Sequence, residues 1–150
     1  MNLLKINYVK YGLLMCAVVV ICLLVTELTG NNQSFEKSPM TLFYTFIAPA
    51  FVWYMGIKAR KDMQKGKLTF KQGLAEGFKI SLVYAIVSPF IFLIYYQINP
   101  AILKYVREAY MLTGSTDAMV IEVDMIIQFS SAVIFGTIYG AMATLFLKTK

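Results

Sequence analysis

The sequence predicts an all-α membrane protein in which four transmembrane helices are joined by polar segments. Three observations carry that prediction. The chain of 150 residues is 59% hydrophobic and only 15% charged, where a water-soluble domain carries about a quarter charged residues. Its mean hydropathy is +0.65, too high for one water-soluble core to hide, so lipid must solvate part of the surface. The charges also fall in clusters between four long uncharged runs, each near the roughly 20 residues that a membrane-spanning helix needs.

The first run, Tyr11–Thr26, lies between Lys10 and Glu27. With Lys10 snorkelling to the surface, the span covers residues 8–28. Lys5 and Lys10 would also suit the basic start of a secretory signal. No small-x-small cleavage site follows, and neither cysteine is preceded by the small residue a lipoprotein signal places there, so the segment is expected to remain as an anchor. Cys16 and Cys22 stand on different faces of one helix. They cannot bond to each other, and they are expected to pack. With no histidine and no CxxC pair, no metal and no cofactor is expected.

A polar loop, Thr29–Pro39, leads to the second span at residues 39–57. Ser38-Pro39 places proline where its missing N–H costs nothing. Pro49 falls mid-span and should kink the helix. Phe43, Tyr44, Trp53 and Tyr54 lie toward the two ends, where amphipathic rings favour the interface. The stretch Lys58–Lys79 that follows holds Lys58, Arg60, Lys61, Lys65, Lys67, Lys71 and Lys79 against Asp62 and Glu76. Thr69-Phe70-Lys71-Gln72 within it reads as a capping box that starts the next helix.

The third span covers residues 73–98, with Pro89 inside it, and Asn99-Pro100 must end it. From 100 to 112 the apolar residues Ile102, Tyr105, Val106, Ala109 and Tyr110 oppose Lys104, Arg107 and Glu108. That is the pattern of an amphipathic surface helix, with Asn99 as its cap. Gly114–Asp117 makes a turn and a new cap, and the last span covers residues 120–147.

Four spans put both termini on one side. That side holds Lys5, Lys10, the seven cations of the central stretch, Lys148 and Lys150, while the other holds Lys37, Lys104 and Arg107 with six of the eight acids. Such a bias orients the basic side, and both termini, to the cytoplasm. Contact of Lys58, Arg60, Lys61, Lys65, Lys67 and Lys71 with anionic lipid follows as a by-product. The net charge of +6 is thereby explained without nucleic acid, for which the expected basic footprint on a polar domain is missing.

The run Gly56-Ile57-Lys58, Lys61-Asp62, Leu68–Gly73 and Gly77–Leu82 resembles an uncharacterised bacterial family, a domain-of-unknown-function group of small four-helix inner-membrane proteins. The resemblance is strongest over the central loop and third helix, and elsewhere rests on the order and spacing of the spans. It implies a location in the bacterial inner membrane and carries over no activity and no catalytic residue.

Two stripes of small residues stand out. Gly73, Gly77, Ser81 and Ala85 recur every four residues on the third helix, and Ala132, Gly136, Gly140 and Thr144 do so on the fourth. In lipid, where packing drives association, such stripes let backbones approach closely. The simplest use docks one on the other within the chain, and a homo-oligomer interface is the second use. Glu76 and Lys79, three apart on one helix, are expected to form a local ion pair near the basic boundary. No acid is expected at the midplane of any span, which counts against a proton-coupled transporter.

No nucleophile-and-base pair or acid cluster rises above chance, so an enzyme is not expected. The function expected is that of a non-enzymatic accessory or structural subunit that binds other membrane proteins. The alternative is a small oligomeric transporter or channel, favoured by Pro49, Pro89 and the polar Ser88, Gln97, Gln128, Ser130 and Ser131.

Overall fold

The computed structural model describes residues 6–29 and 39–149. Lys5, Glu36, Lys37 and Lys150, and the expected polar loop over residues 30–38 with Ser38, lie outside them. The described residues form helices and no strand. They are α1 (Asn7–Leu28), α2 (Pro39–Met63), α3 (Phe70–Ile98), α4 (Ala101–Ala109) and α5 (Asp117–Leu147). All but α4 are long and apolar enough to cross a membrane, as the hydropathy pattern predicts.

The helices outrun the hydrophobic stretches. Lys58, Arg60 and Lys61 ride on the last turns of α2, where cations face the negative end of the helix dipole, and Lys71 sits in the first turn of α3. What remains of the basic stretch as true loop is Gln64–Thr69. Its turn is made by Lys65 and Gly66, both with positive φ (55° and 79°). The capping box forms as read: the Thr69 hydroxyl accepts from the Gln72 N–H at 3.3 Å, and the Gln72 side chain accepts from the Thr69 N–H at 3.0 Å. Thr149 closes this end. Its N–H donates to the Leu68 carbonyl (2.9 Å), and its hydroxyl accepts from the Leu68 N–H (3.0 Å) and donates to Gly66 (3.1 Å).

At the opposite end, α4 begins one residue later than the sequence suggests, with Pro100 at its cap position. Asn99 does not cap it, because its side chain donates instead to Glu27 (3.0 Å). The helix also stops at Ala109, earlier than 112, where the chain turns through Met111 at φ 54°.

The four long helices form two parallel pairs. Asn7 meets Glu76 and Glu27 meets Asn99, so α1 and α3 run side by side in the same direction. The other pair is α2 and α5. The pairs pack against each other, with α5 most extensively on α3, while α1 and α5 do not touch. The core between them is apolar and tight, with Met15, Val19, Trp53, Ile80, Phe92 and Ile102 at its centre.

The α3–α5 seam is where the two small-residue stripes meet, antiparallel. Gly73 lies against Thr144, Gly77 against Gly140, and Ser81 against Gly136. At the middle pair, a Cβ built on Gly77 would stand 2.7 Å from the Gly140 Cα, and one on Gly140 would stand 2.9 Å from the Gly77 Cα. Both neighbours are backbone, so neither can turn aside. A residue larger than glycine must therefore push the helices apart. Gly77→Ala is expected to cost about 1–3 kcal/mol through overpacking. Gly136→Leu and Gly140→Leu, which also strike Trp53, should prevent a monodisperse fold. Thermal melts and size-exclusion profiles in detergent check both, and an unchanged melt would separate the stripe from stability.

Candidate functional site

Two features of the bundle depart from plain apolar packing: a groove beside a widened helical turn, and buried carboxylates near both ends. The groove begins with Pro49. Proline has no N–H to donate, and its ring clashes with the carbonyl four residues back in a regular α-helix. The chain answers with a π-turn over Phe43–Ile47, in which the Ala48 N–H reaches the Phe43 carbonyl five residues back. Such single π-turns recur at functional sites. The kink expected at Pro49 thus takes the form of a widened turn in a continuous helix.

One turn further on, Trp53 is buried against the α3–α5 seam. Its indole N–H points at the Gly77 carbonyl (3.2 Å) and the Ser81 hydroxyl oxygen (3.1 Å), and that hydroxyl donates to the same carbonyl (2.8 Å). Tyr84 stacks edge-on against the indole at 6.2 Å. Between the π-turn and α5 lies a cleft of about 230 Å³, lined by Thr45, Pro49, Trp53, Tyr84, Gln128 and Ser131 among others. A second cleft of about 360 Å³ shares Tyr139 with the first. It continues toward the basic end between Phe51 and Tyr54 of α2 and Met142 and Phe146 of α5. Its walls are almost wholly apolar.

The carboxylates come next. Glu76, 4% exposed, faces inward from α3. It accepts from the Asn7 amide (2.7 Å), which also donates to the Gly56 carbonyl (2.9 Å), and Arg60 reaches its other oxygen at 3.9 Å. The pairing expected with Lys79 does not form. Glu76 shares the inner face with Gly73, Gly77 and Ile80, while Lys79 stands on the exposed side of α3 and lies over the Tyr8 ring at 5.5 Å.

Asp124, 1% exposed, takes one hydrogen bond on each oxygen: from Tyr96 of α3 at 2.5 Å and from Tyr110 at 2.9 Å. Burial first, then the charge and hydrogen bond of Asp124, raise the Tyr110 hydroxyl above its ordinary range, so Tyr110 remains a donor well past neutral pH. Glu27, half-buried, accepts from Tyr95 (3.2 Å) and Asn99. Arg107 and Asp117 form an ion pair that ties α4 to the start of α5.

Of the stripe residues, six meet across the seam, and the last two border clefts beside it. Ala85 faces a cleft with Pro89, Met125 and Phe129, and Ala132 lines the groove beside Trp53. Lys58, Lys65, Lys67 and Lys71 are exposed and Lys61 half-buried; Arg60 alone turns to a protein carboxylate. Sequence reasoning passed over Asp124, counting it only among the six acids of the side opposite the basic one. A signal was available: it lies seven residues beyond Asp117, two turns past the Thr116 cap. Among the described residues, no three His, Cys, Asp or Glu side chains stand close enough to hold a metal. Cys16 and Cys22 are both buried and free.

A family model described as "Protein of unknown function (DUF4199)" matches residues 10–149. The likeness noted around the central loop therefore extends through all four long helices. No curated protein and no solved structure matches the chain.

Removing one donor from Asp124 leaves a buried acceptor short of a partner, at a cost of about 1–3 kcal/mol. Tyr96→Phe is expected to lower the melting temperature in detergent more than Tyr110→Phe, since Tyr96 is the more buried. Equal, negligible shifts in both variants would remove the Asp124 cluster as a structural tie.

Proposed function

The chain belongs to the DUF4199 family of proteins of unknown function, and from that premise we propose that it is a non-enzymatic accessory subunit of the bacterial inner membrane, binding other membrane proteins. One observation carries this reading. Over its most apolar window only 11% of α5 is buried, against 39% in each of the other three long helices. Beside the groove, the outward face of α5 carries Ile127, Ile134, Ile138 and Leu145, all exposed and at spacings of seven, four and seven residues. In lipid, helices associate through packing contacts, and α5 leaves more of its apolar surface open to them than any other long helix of the bundle.

The orientation follows from the charges. Eleven cations at the basic end against three at the other support a cytoplasmic location for both termini. The lysines of that end would then meet anionic headgroups. In α4, Ile102 and Leu103 are buried while Lys104 and Glu108 are exposed, which supports a helix lying at the outer surface of the bilayer.

Buried Glu76 and Asp124 favour a second reading, a small oligomeric transporter, because ionisable groups in a membrane are functional candidates by default. They sit toward opposite ends of the bundle. The core between them is filled by Trp53, Met15 and Ile80, so transport would need a path built by more than one copy.

Three experiments divide these readings. Alkaline phosphatase fused after residue 149 should be inactive and green fluorescent protein there bright, with the reverse for insertions at residues 113–115; the opposite pattern overturns the orientation. A mild-detergent pull-down of the tagged chain should bring down a stoichiometric membrane complex. A clean homo-oligomer whose ion or drug flux in liposomes is lost in Asp124→Asn or Glu76→Gln would establish the transporter instead.

A further inference from the structure

We propose that the α2–α5 groove seats one anionic phospholipid, with an acyl chain lying along its two clefts and the headgroup held by Lys58 and Lys61. The proposal deepens the reading that the basic end meets the bilayer surface. The two clefts adjoin end to end, with Tyr139 lining both. On α5 the groove's lining follows a single stripe through Gln128, Ala132, Phe135, Tyr139, Met142 and Phe146, at spacings of three and four residues. From Phe135 to Phe146, at the basic end, this stripe runs about 16 Å at 1.5 Å per residue, close to the roughly 15 Å that one leaflet contributes to a hydrocarbon core of about 30 Å. The part of the groove nearer the basic end therefore has the length and direction of one acyl chain, and its walls there are apolar.

Charge supplies the rest. On α2, Phe51, Tyr54, Lys58 and Lys61 are three, four and three residues apart, so they share one helical face. Phe51 and Tyr54 wall the second cleft. The same face carries the two lysines at the bilayer edge, just beyond the groove. Arg60, which points elsewhere, is engaged by Glu76; Asp62 is the neighbour of Lys58 one turn on, but the two form no ion pair. A negatively charged phosphate at the mouth of the groove thus finds two cations on the face that its own acyl chain follows. A zwitterionic lipid gains less there, because its own cation opposes the lysines. The widened turn ahead of Pro49 opens the far end of the groove, between Thr45 and Gln128.

Trp53 is the sole tryptophan of the chain and forms part of the groove wall, about 7 Å deeper than Lys58 along α2. Its fluorescence therefore reports an acyl chain in the groove. The test reconstitutes the full chain in phosphatidylcholine bilayers doped with 6,7-dibrominated phosphatidylglycerol or, in parallel, 6,7-dibrominated phosphatidylcholine. Half-quenching is expected at a brominated phosphatidylglycerol fraction at least about fivefold lower than for brominated phosphatidylcholine, from the attraction of surface lysines for anionic lipid. The preference should vanish in the Lys58→Gln/Lys61→Gln double variant and persist in Lys65→Gln/Lys67→Gln. It should also collapse for the unaltered protein near 1 M salt, where the screening length falls to about 3 Å, an arm that needs no variant to fold.

Equal quenching by the two lipids overturns the headgroup site, as does a preference that survives both salt and the double variant. Quenching by neither lipid, as when a second copy fills the groove, overturns the proposal altogether. The readout is independent of which compartment the basic end faces, so it fails separately from the orientation fusions.

Discussion

The contact on which the bundle depends is the one between two glycines. At Gly77 and Gly140 the backbones of α3 and α5 approach so closely that neither position has room for a Cβ. In water, two helices can be forced together by hiding apolar surface. In lipid that force is absent, and close packing has to supply the attraction. The Gly77–Gly140 approach sets the separation of the seam, and the neighbouring groups follow from it. Thr144 and Ser81 turn their hydroxyls onto carbonyls of their own helices, which leaves no unsatisfied donor in the seam. Trp53 reaches across from α2 to the Gly77 carbonyl, tying a third helix to the same point.

The elements that the sequence revealed are those fixed by local pattern. Span positions follow from uncharged runs, the start of α3 from Thr69 and Gln72, and the seam from residues repeating every four. Each depends on neighbours within one or two turns. The partners of Glu76 were not legible in that way. Lys79 is close in sequence, but the inward rotation of α3 hands Glu76 to Asn7 and Arg60, which arrive from two other helices. The Asp124 cluster was hidden for the same reason: Tyr96 lies 28 residues away and Tyr110 lies 14 away. Only the docking of α3 on α5 shows that Asp124 faces inward. Pro49 announced a disturbance in α2, but not that it would be absorbed as a π-turn and open one side of the helix.

Polar groups are distributed unevenly through the interior. Glu76 with Asn7 and Arg60 lies toward the basic end, and Asp124 with Tyr96 and Tyr110 toward the other, with Glu27 and Asn99 beside it. Between them the core is apolar, with the Ser81 and Thr144 hydroxyls bonded to carbonyls of their own helices. Deep burial is what makes a charge expensive in a membrane, and this arrangement keeps the carboxylates near the ends of the helices. Cavity space reaches mid-bundle depth in the groove between α2 and α5 and in the cleft beside Pro89.

The seam has a further consequence for how the chain is assembled as it is made. The first three long helices share ties of their own: Asn7 to Glu76, Glu27 to Asn99, and Trp53 to Gly77. They can associate as soon as α3 has entered the bilayer. That early trio, however, presents the bare glycine face of α3 and the hydroxyl of Tyr96 to lipid, because Gly140 and Asp124 both arrive with α5. The most extensive interface of the protein is thus the last to form. Until α5 emerges and Thr149 closes onto Leu68, the newborn chain carries an open, small-residue surface.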